Sequence, residues 1–176
     1  MKVRNLKAVV GAAFVAASLG ALSAHAEGLY VGGSLGTPRY PDGVNGISGN
    51  GSGLSGKLFG GYQLAPNFAL EAGAADLGRI DNGNGKVDGR SVFLDAVGIA
   101  PLNDKWSLLG RLGVAHVNLD TSAGDSGGSG LKLGLGAQYS LTSNIALRGE
   151  WERYHPSVFG DKSNIDQYTF GVRVGF

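Results

Sequence analysis

Eight times between Gly28 and Phe176 the sequence falls into a two-residue rhythm, which only a fold made of many strands can use. The last such stretch, "DQYTFGVRVGF" (166–176), puts Tyr168, Phe170, Val172, Val174 and Phe176 on one parity. Gln167, Thr169, Gly171, Arg173 and Gly175 take the other. Side chains alternate across a strand, so one face is apolar and the other small, polar or charged. The cleanest case is "GLKLGLGAQYSL" (130–141), where Leu131, Leu133, Leu135, Ala137, Tyr139 and Leu141 oppose Lys132, Gly134, Gly136, Gln138 and Ser140. The remaining six are 28–36, 54–63, 68–77, 91–100, 106–117 and 145–154. Each is near the ~9–11 residues of a tilted transmembrane strand. The rhythm is weakest in 91–100, where Phe93, Val97 and Ile99 fall among the polar positions, as Phe59 does in 54–63.

The links between these segments also alternate. "LAPN" (64–67), "PLNDK" (101–105) and "TSN" (142–144) are short, whereas 37–53, 78–89, 118–129 and 155–163 are long and rich in Gly, Asn, Asp and Ser. Short turns on one side and longer loops on the other are the pattern of an outer-membrane barrel. The expected fold is therefore all-β, a single eight-stranded antiparallel transmembrane β-barrel over residues 27–176.

The N-terminus points to export. Lys2, Arg4 and Lys7 precede the apolar run "AVVGAAFVAASLGAL", and Ala24-His25-Ala26 has the small-x-small form of a signal-peptidase site. Residues 1–26 are expected to be a cleaved signal peptide, since the run falls short of the ~20 residues of a spanning helix. Losing the three leader cations leaves 12 Lys and Arg against 14 Asp and Glu, a formal charge of −2. No clustered basic face suggests nucleic acid. There is no Cys, which excludes disulfides, thiol chemistry and a lipoprotein anchor.

Alternation alone does not say which face meets water, and a soluble barrel would turn its apolar side inward around a ligand. Two patterns favour lipid. Tyr62, Phe68, Trp106, Tyr139 and Phe176 share the apolar parity and stand beside the short turns, as an interfacial girdle requires. The other parity carries Lys57, Glu71, Asp95, Arg111, Lys132, Arg148, Glu150 and Arg173, interleaved with Gly, Ser and Ala. Eight strands enclose a lumen just wide enough for side chains to fill it, and these charges are expected to plug it as an ionic network.

Candidate chemistry is sparse. His155-Pro156-Ser157 with Glu152 has a suggestive spacing for lipid hydrolysis, but the Pro marks a turn. His116 has Asn118 where a Ser would be wanted two residues on. "DNGNGKVDG" (81–89) has Gly83 and Gly85 at its third and fifth positions and Val92 at the twelfth, which spoils a calcium loop. No catalytic residue, metal or cofactor is assigned. Arg39, Arg79, Lys86, Arg90 and Arg153 lie where lipopolysaccharide phosphates could accept their hydrogen bonds.

"GGYQLAPNFALEAGAADLG", "PLNDKWSLLGRLGVA" and "IALRGEWERY", in that order, resemble the N-terminal transmembrane domain of the outer membrane protein A family. The resemblance covers 28–176 and implies a barrel-only member in the outer membrane of a Gram-negative bacterium. It implies a lumen pair Glu71–Arg148. It also implies partner-swapping charges at the positions of Val97 and Gln138, both replaced here, so a gate of that design is not expected. Thr169, Gly171, Val174 and Phe176 look like the C-terminal signal such barrels present to the assembly machinery. The expected role is structural or adhesive, exercised by a monomer through four external loops. The alternatives are a narrow low-conductance pore and, behind it, a lipid A-modifying enzyme.

Overall fold

The computed structural model describes residues 28–44, 47–50, 54–82, 85–121, 124–158, 161–162 and 164–176. The expected leader lies outside them. Ten strands run in chain order: β1 Leu29–Val44, β2 Ile47–Asn50, β3 Ser55–Ala65, β4 Phe68–Asn82, β5 Gly85–Pro101, β6 Trp106–Thr121, β7 Gly124–Ser140, β8 Ile145–Val158, β9 Asp161–Lys162 and β10 Ile165–Gly175. β2 and β9 are short additions to hairpins. The other eight form an antiparallel circuit that closes where β10 pairs with both β8 and β1. Closure removes the sheet edges a membrane would not tolerate.

The register fixes the barrel's shape. A path of paired residues runs Leu29, Tyr62, Leu70, Ala96, Leu112, Leu133, Arg153, Asp166 and returns to β1 at Arg39, ten positions beyond its start. With strands about 4.8 Å apart and a rise of about 3.3 Å per residue, that stagger tilts the strands by about 41°. Each step along the path climbs about 3 Å up the barrel axis, and each residue along a strand about 2.5 Å.

Four links expected to be loops are in large part strand. β4 and β5 stay paired out to Asn82–Gly85, and β6 and β7 to Thr121–Gly124, leaving only 83–84 and 122–123 between them. β1 likewise continues through residues 37–44 and turns back on β2. The Gly and Asn content of these links does not mark irregular chain, since much of it lies within paired strands. The ladder continues because its backbone bonds do not depend on which side chains are carried.

The faces sort as the alternation predicts. Leu35, Leu58, Leu94, Leu112, Leu131, Leu135 and Phe170 stand 54–64 % exposed on the outside. Apart from Asp166, the buried residues lie inside the barrel and include charges, aromatics and small aliphatics. Gly and Ala on the inner face make room for the large groups opposite them. A methyl carbon at Gly134 would lie 2.6 Å from Arg111 Cγ, and one at Gly73 would lie 2.7 Å from the Phe93 ring.

Candidate functional site

The outer surface carries two rings separated by apolar side chains. Tyr62, Phe68, Trp106, Tyr139 and Phe176 fall within a few ångströms of one level at the short-turn end. Trp106 and Tyr139 face each other across β6 and β7 with ring centroids 4.9 Å apart. Some 19–25 Å higher, by the rise and tilt of the strands, come the outward positions of Arg39, Asp76, Arg90, His116, Ser129, Arg153, His155 and Asp166. The outward positions between the rings are all uncharged. That spacing is close to the ~25 Å apolar band of an outer-membrane barrel.

In the upper ring Arg153 holds Asp166 with two hydrogen bonds, 2.6 and 2.7 Å, and lies over Trp151. Arg39 stacks on Tyr168. Arg90 is exposed opposite Asp76. The side chains of Arg79 and Lys86 lie outside those described.

Inside, seven of the eight charges picked out by parity are brought together. Arg111 is the hub, because its guanidinium reaches all four acids. It lies 3.1 Å from Glu71, 3.3 Å from Asp95 and 3.0 Å from Glu152, and it contacts Glu150 directly. Above it, Lys57 bridges Glu150 at 2.6 Å and Glu152 at 2.8 Å, and Lys132 bridges Asp95 at 2.6 Å and Glu152 at 3.0 Å. Below it, Arg148 holds Glu71 at 2.5 Å and donates to Gln138 at 2.9 Å; the Tyr30 hydroxyl donates to Glu71 at 2.8 Å. Every charged side chain in this group is at most 1 % exposed.

Two corrections concern membership. Glu152, which shares the polar parity of Arg148 and Glu150 but is not among the expected lumen charges, is a full member and is tied further to Tyr154. Its parity with Glu150 was the available signal. Arg173 stands apart: no carboxylate lies within ion-pair distance of it among the described residues. It sits lower in the barrel, donating to Gln63 at 3.0 Å with its guanidinium 4.0 Å from the Tyr30 ring centre.

The misfit apolar residues of the sequence also find their place. Phe59 and Phe93 line the inside, where Lys132 lies 3.7 Å from the Phe93 ring centre and Arg148 5.2 Å from that of Phe59. A ring face attracts a cation that has lost water, so these aromatics are partners for the buried charges. Val97, Leu109, Ala69 and Ala146 are buried on the short-turn side of the Arg111 hub, at about the level of Arg148 or below it, and Leu77, Ala115, Val117 and Ile165 on the long-loop side. Apolar side chains thus flank the ionic network toward both ends. Gln138 accepts from Arg148, and Val97 is one of the apolar side chains on the short-turn side, so neither can offer a charged partner.

The hydrolytic candidates do not converge. His155 is exposed on the outside while Glu152 is sealed in the lumen, so the wall separates them; the side chain of Ser157 lies outside those described. His116 does meet a serine, Ser129 on the adjoining strand, with Nδ1 2.9 Å from Oγ. Among the described residues no cluster of His, Asp or Glu has the form of a metal site. In β10, Thr169 and Gly171 face the lumen while Val174 has the lipid-facing parity, and the Phe176 amide donates to Leu29 across the seam.

Comparison with known proteins bears on this architecture. The outer membrane protein β-barrel domain matches residues 9–176. The chain belongs to that family. It is similar in fold to Neisserial surface protein A, at 18 % identity and a TM-score of 0.68, covering 84 % of this chain and 97 % of that one. It is also similar to Ail, the attachment invasion locus protein of Yersinia pestis, at 17 % identity and a TM-score of 0.57, covering 84 % and 95 %. The N-terminal barrel of Pseudomonas aeruginosa OprF gives 15 % identity and a TM-score of 0.58, covering 83 % and 97 %. No curated protein sequence matches the chain. The family is one of outer-membrane barrels, and the closed circuit of eight long strands is its architecture.

Proposed function

We propose that this is a non-enzymatic surface barrel whose lumen is closed by the Arg111-centred network and whose strand-built hairpins meet external partners. One observation carries the reading: four cations and four carboxylates interlock across the lumen, every one of them buried. A solute would have to break buried ion pairs, and removing one partner of a buried pair costs about 3–5 kcal/mol. Ail is by name a protein of attachment and invasion. A role of that kind for this chain is supported by β4–β7, which stay paired beyond the upper ring.

The upper ring supports lipopolysaccharide as the outer-leaflet partner. β10, through Thr169, Gly171, Val174 and Phe176, supports recognition by the assembly machinery. Cleavage after Ala26 would deliver the chain to the periplasm, and N-terminal sequencing of the mature protein tests it.

Planar-bilayer recording tests the central reading. The native protein should give no steps above the bilayer baseline, while Arg111→Ala should give openings. Stable single-channel steps from the native protein would establish the narrow pore instead.

A further inference from the structure

The lumen charges do not balance along the barrel axis. Above Glu71, Arg111, Lys57 and Lys132 face Asp95, Glu150 and Glu152, three against three. At the short-turn end, Arg148 and Arg173 have Glu71 as their close carboxylate, with Glu150 3.9 Å from Arg148, so the lumen holds five cations against four carboxylates among the described residues. Both guanidinium groups lie over Tyr30, at 5.4 Å and 4.0 Å from its ring centre. Each also has a buried N–H with no partner among the described residues: Nη2 of Arg148 and Nε of Arg173. The Arg148 side chain is 1 % exposed, so its orphaned donor has no access to bulk water. Buried donors are rarely left unpaired, and two on neighbouring cations mark a place for an acceptor. The neutral residues beside them, Gln63 and Gln138, turn their carbonyl oxygens to the arginines and leave the excess charge in place.

We infer that Arg148 and Arg173 form a site for one small anion, a halide or compact oxyanion, at the short-turn end of the lumen. Glu71 is engaged by Arg148 Nη1, by Arg111 and by the Tyr30 hydroxyl, so it leaves the Nη2 edge of Arg148 to the ligand. An anion held by Nη2 and by Nε of Arg173 would bring this end of the ladder to two against two. It would also offset the repulsion between two cations that lie against the same ring. Arg173, excluded from the ionic network, thereby acquires a role.

Bromide locates such a site directly. Crystals of the native barrel soaked in sodium bromide should show an anomalous peak within hydrogen-bonding reach of both Arg148 and Arg173, and Arg173→Gln crystals should lose it. In micelles, the Arg173 Nε–Hε resonance should shift saturably with bromide and not with sodium gluconate at equal ionic strength. That measurement needs no variant to fold. A non-anomalous solvent peak at the position, meaning water, would overturn the inference. So would bromide occupancy unchanged in Arg173→Gln, or a shift that follows ionic strength alone.

Discussion

The same strands present two faces that obey different rules. The outward face between the rings is repetitive: Leu, Val, Ala and Gly succeed one another with few side-chain partners, and hydrocarbon asks only that they be apolar. The inward face is particular. Arg111 fits because Gly134 is opposite it, and Glu71 is held at once by Arg148, Arg111 and Tyr30. One face is specified by depth and the other by named partners. Substitutions should therefore follow depth outside and partner identity inside.

The largest effect is expected at the hub. Arg111→Ala leaves four buried carboxylates with three cations and should lower unfolding stability in lipid vesicles by about 3–5 kcal/mol. Unfolding in urea at the native midpoint would show the network to be well hydrated instead. Next comes the outer face near mid-height: Leu135→Arg should cost about 2–4 kcal/mol by the same measurement. Inside, Gly134→Ala should cost about 1–3 kcal/mol, because the added carbon meets the Arg111 stem and the Trp151 carbonyl oxygen at 3.0 Å. The smallest effect is expected at Ser129→Arg, about 0–1 kcal/mol, because the upper ring lies at the interface. Equal costs for Arg at positions 129 and 135 would abolish the depth rule.

Much of this was legible in the sequence because period two is a property of single strands. The eight segments, the short turns and the common face of Leu131, Leu133 and Leu135 follow from it, as does the opposite parity of Lys57, Glu71, Asp95, Arg111, Lys132, Arg148 and Glu150. Which face points outward followed from the aromatics beside the short turns and the charges among Gly and Ser. Strand length was not legible, since backbone pairing runs on through Gly-rich chain that composition reads as loop. Nor was the division of partners. Glu152 and Arg173 share the inward parity equally, and only the ten-residue stagger, a property of the closed circuit, lifts Glu152 into the network and drops Arg173 below it. Phe59 and Phe93 read as defects in the alternation. They mark where buried cations use aromatic faces in place of water.

The two tryptophans provide the most direct test that the apolar face meets hydrocarbon. Both face outward, Trp106 in the lower ring and Trp151 about 14 Å above Leu29 by the rise and tilt of the strands. In vesicles of brominated phospholipid, with Trp151→Phe and Trp106→Phe used to isolate each signal, Trp151 should be quenched most by bromine near the chain ends. Trp106 should be quenched most by bromine close to the headgroup. Quenching of Trp151 by aqueous iodide, with no response to bromine at any depth, would contradict the account.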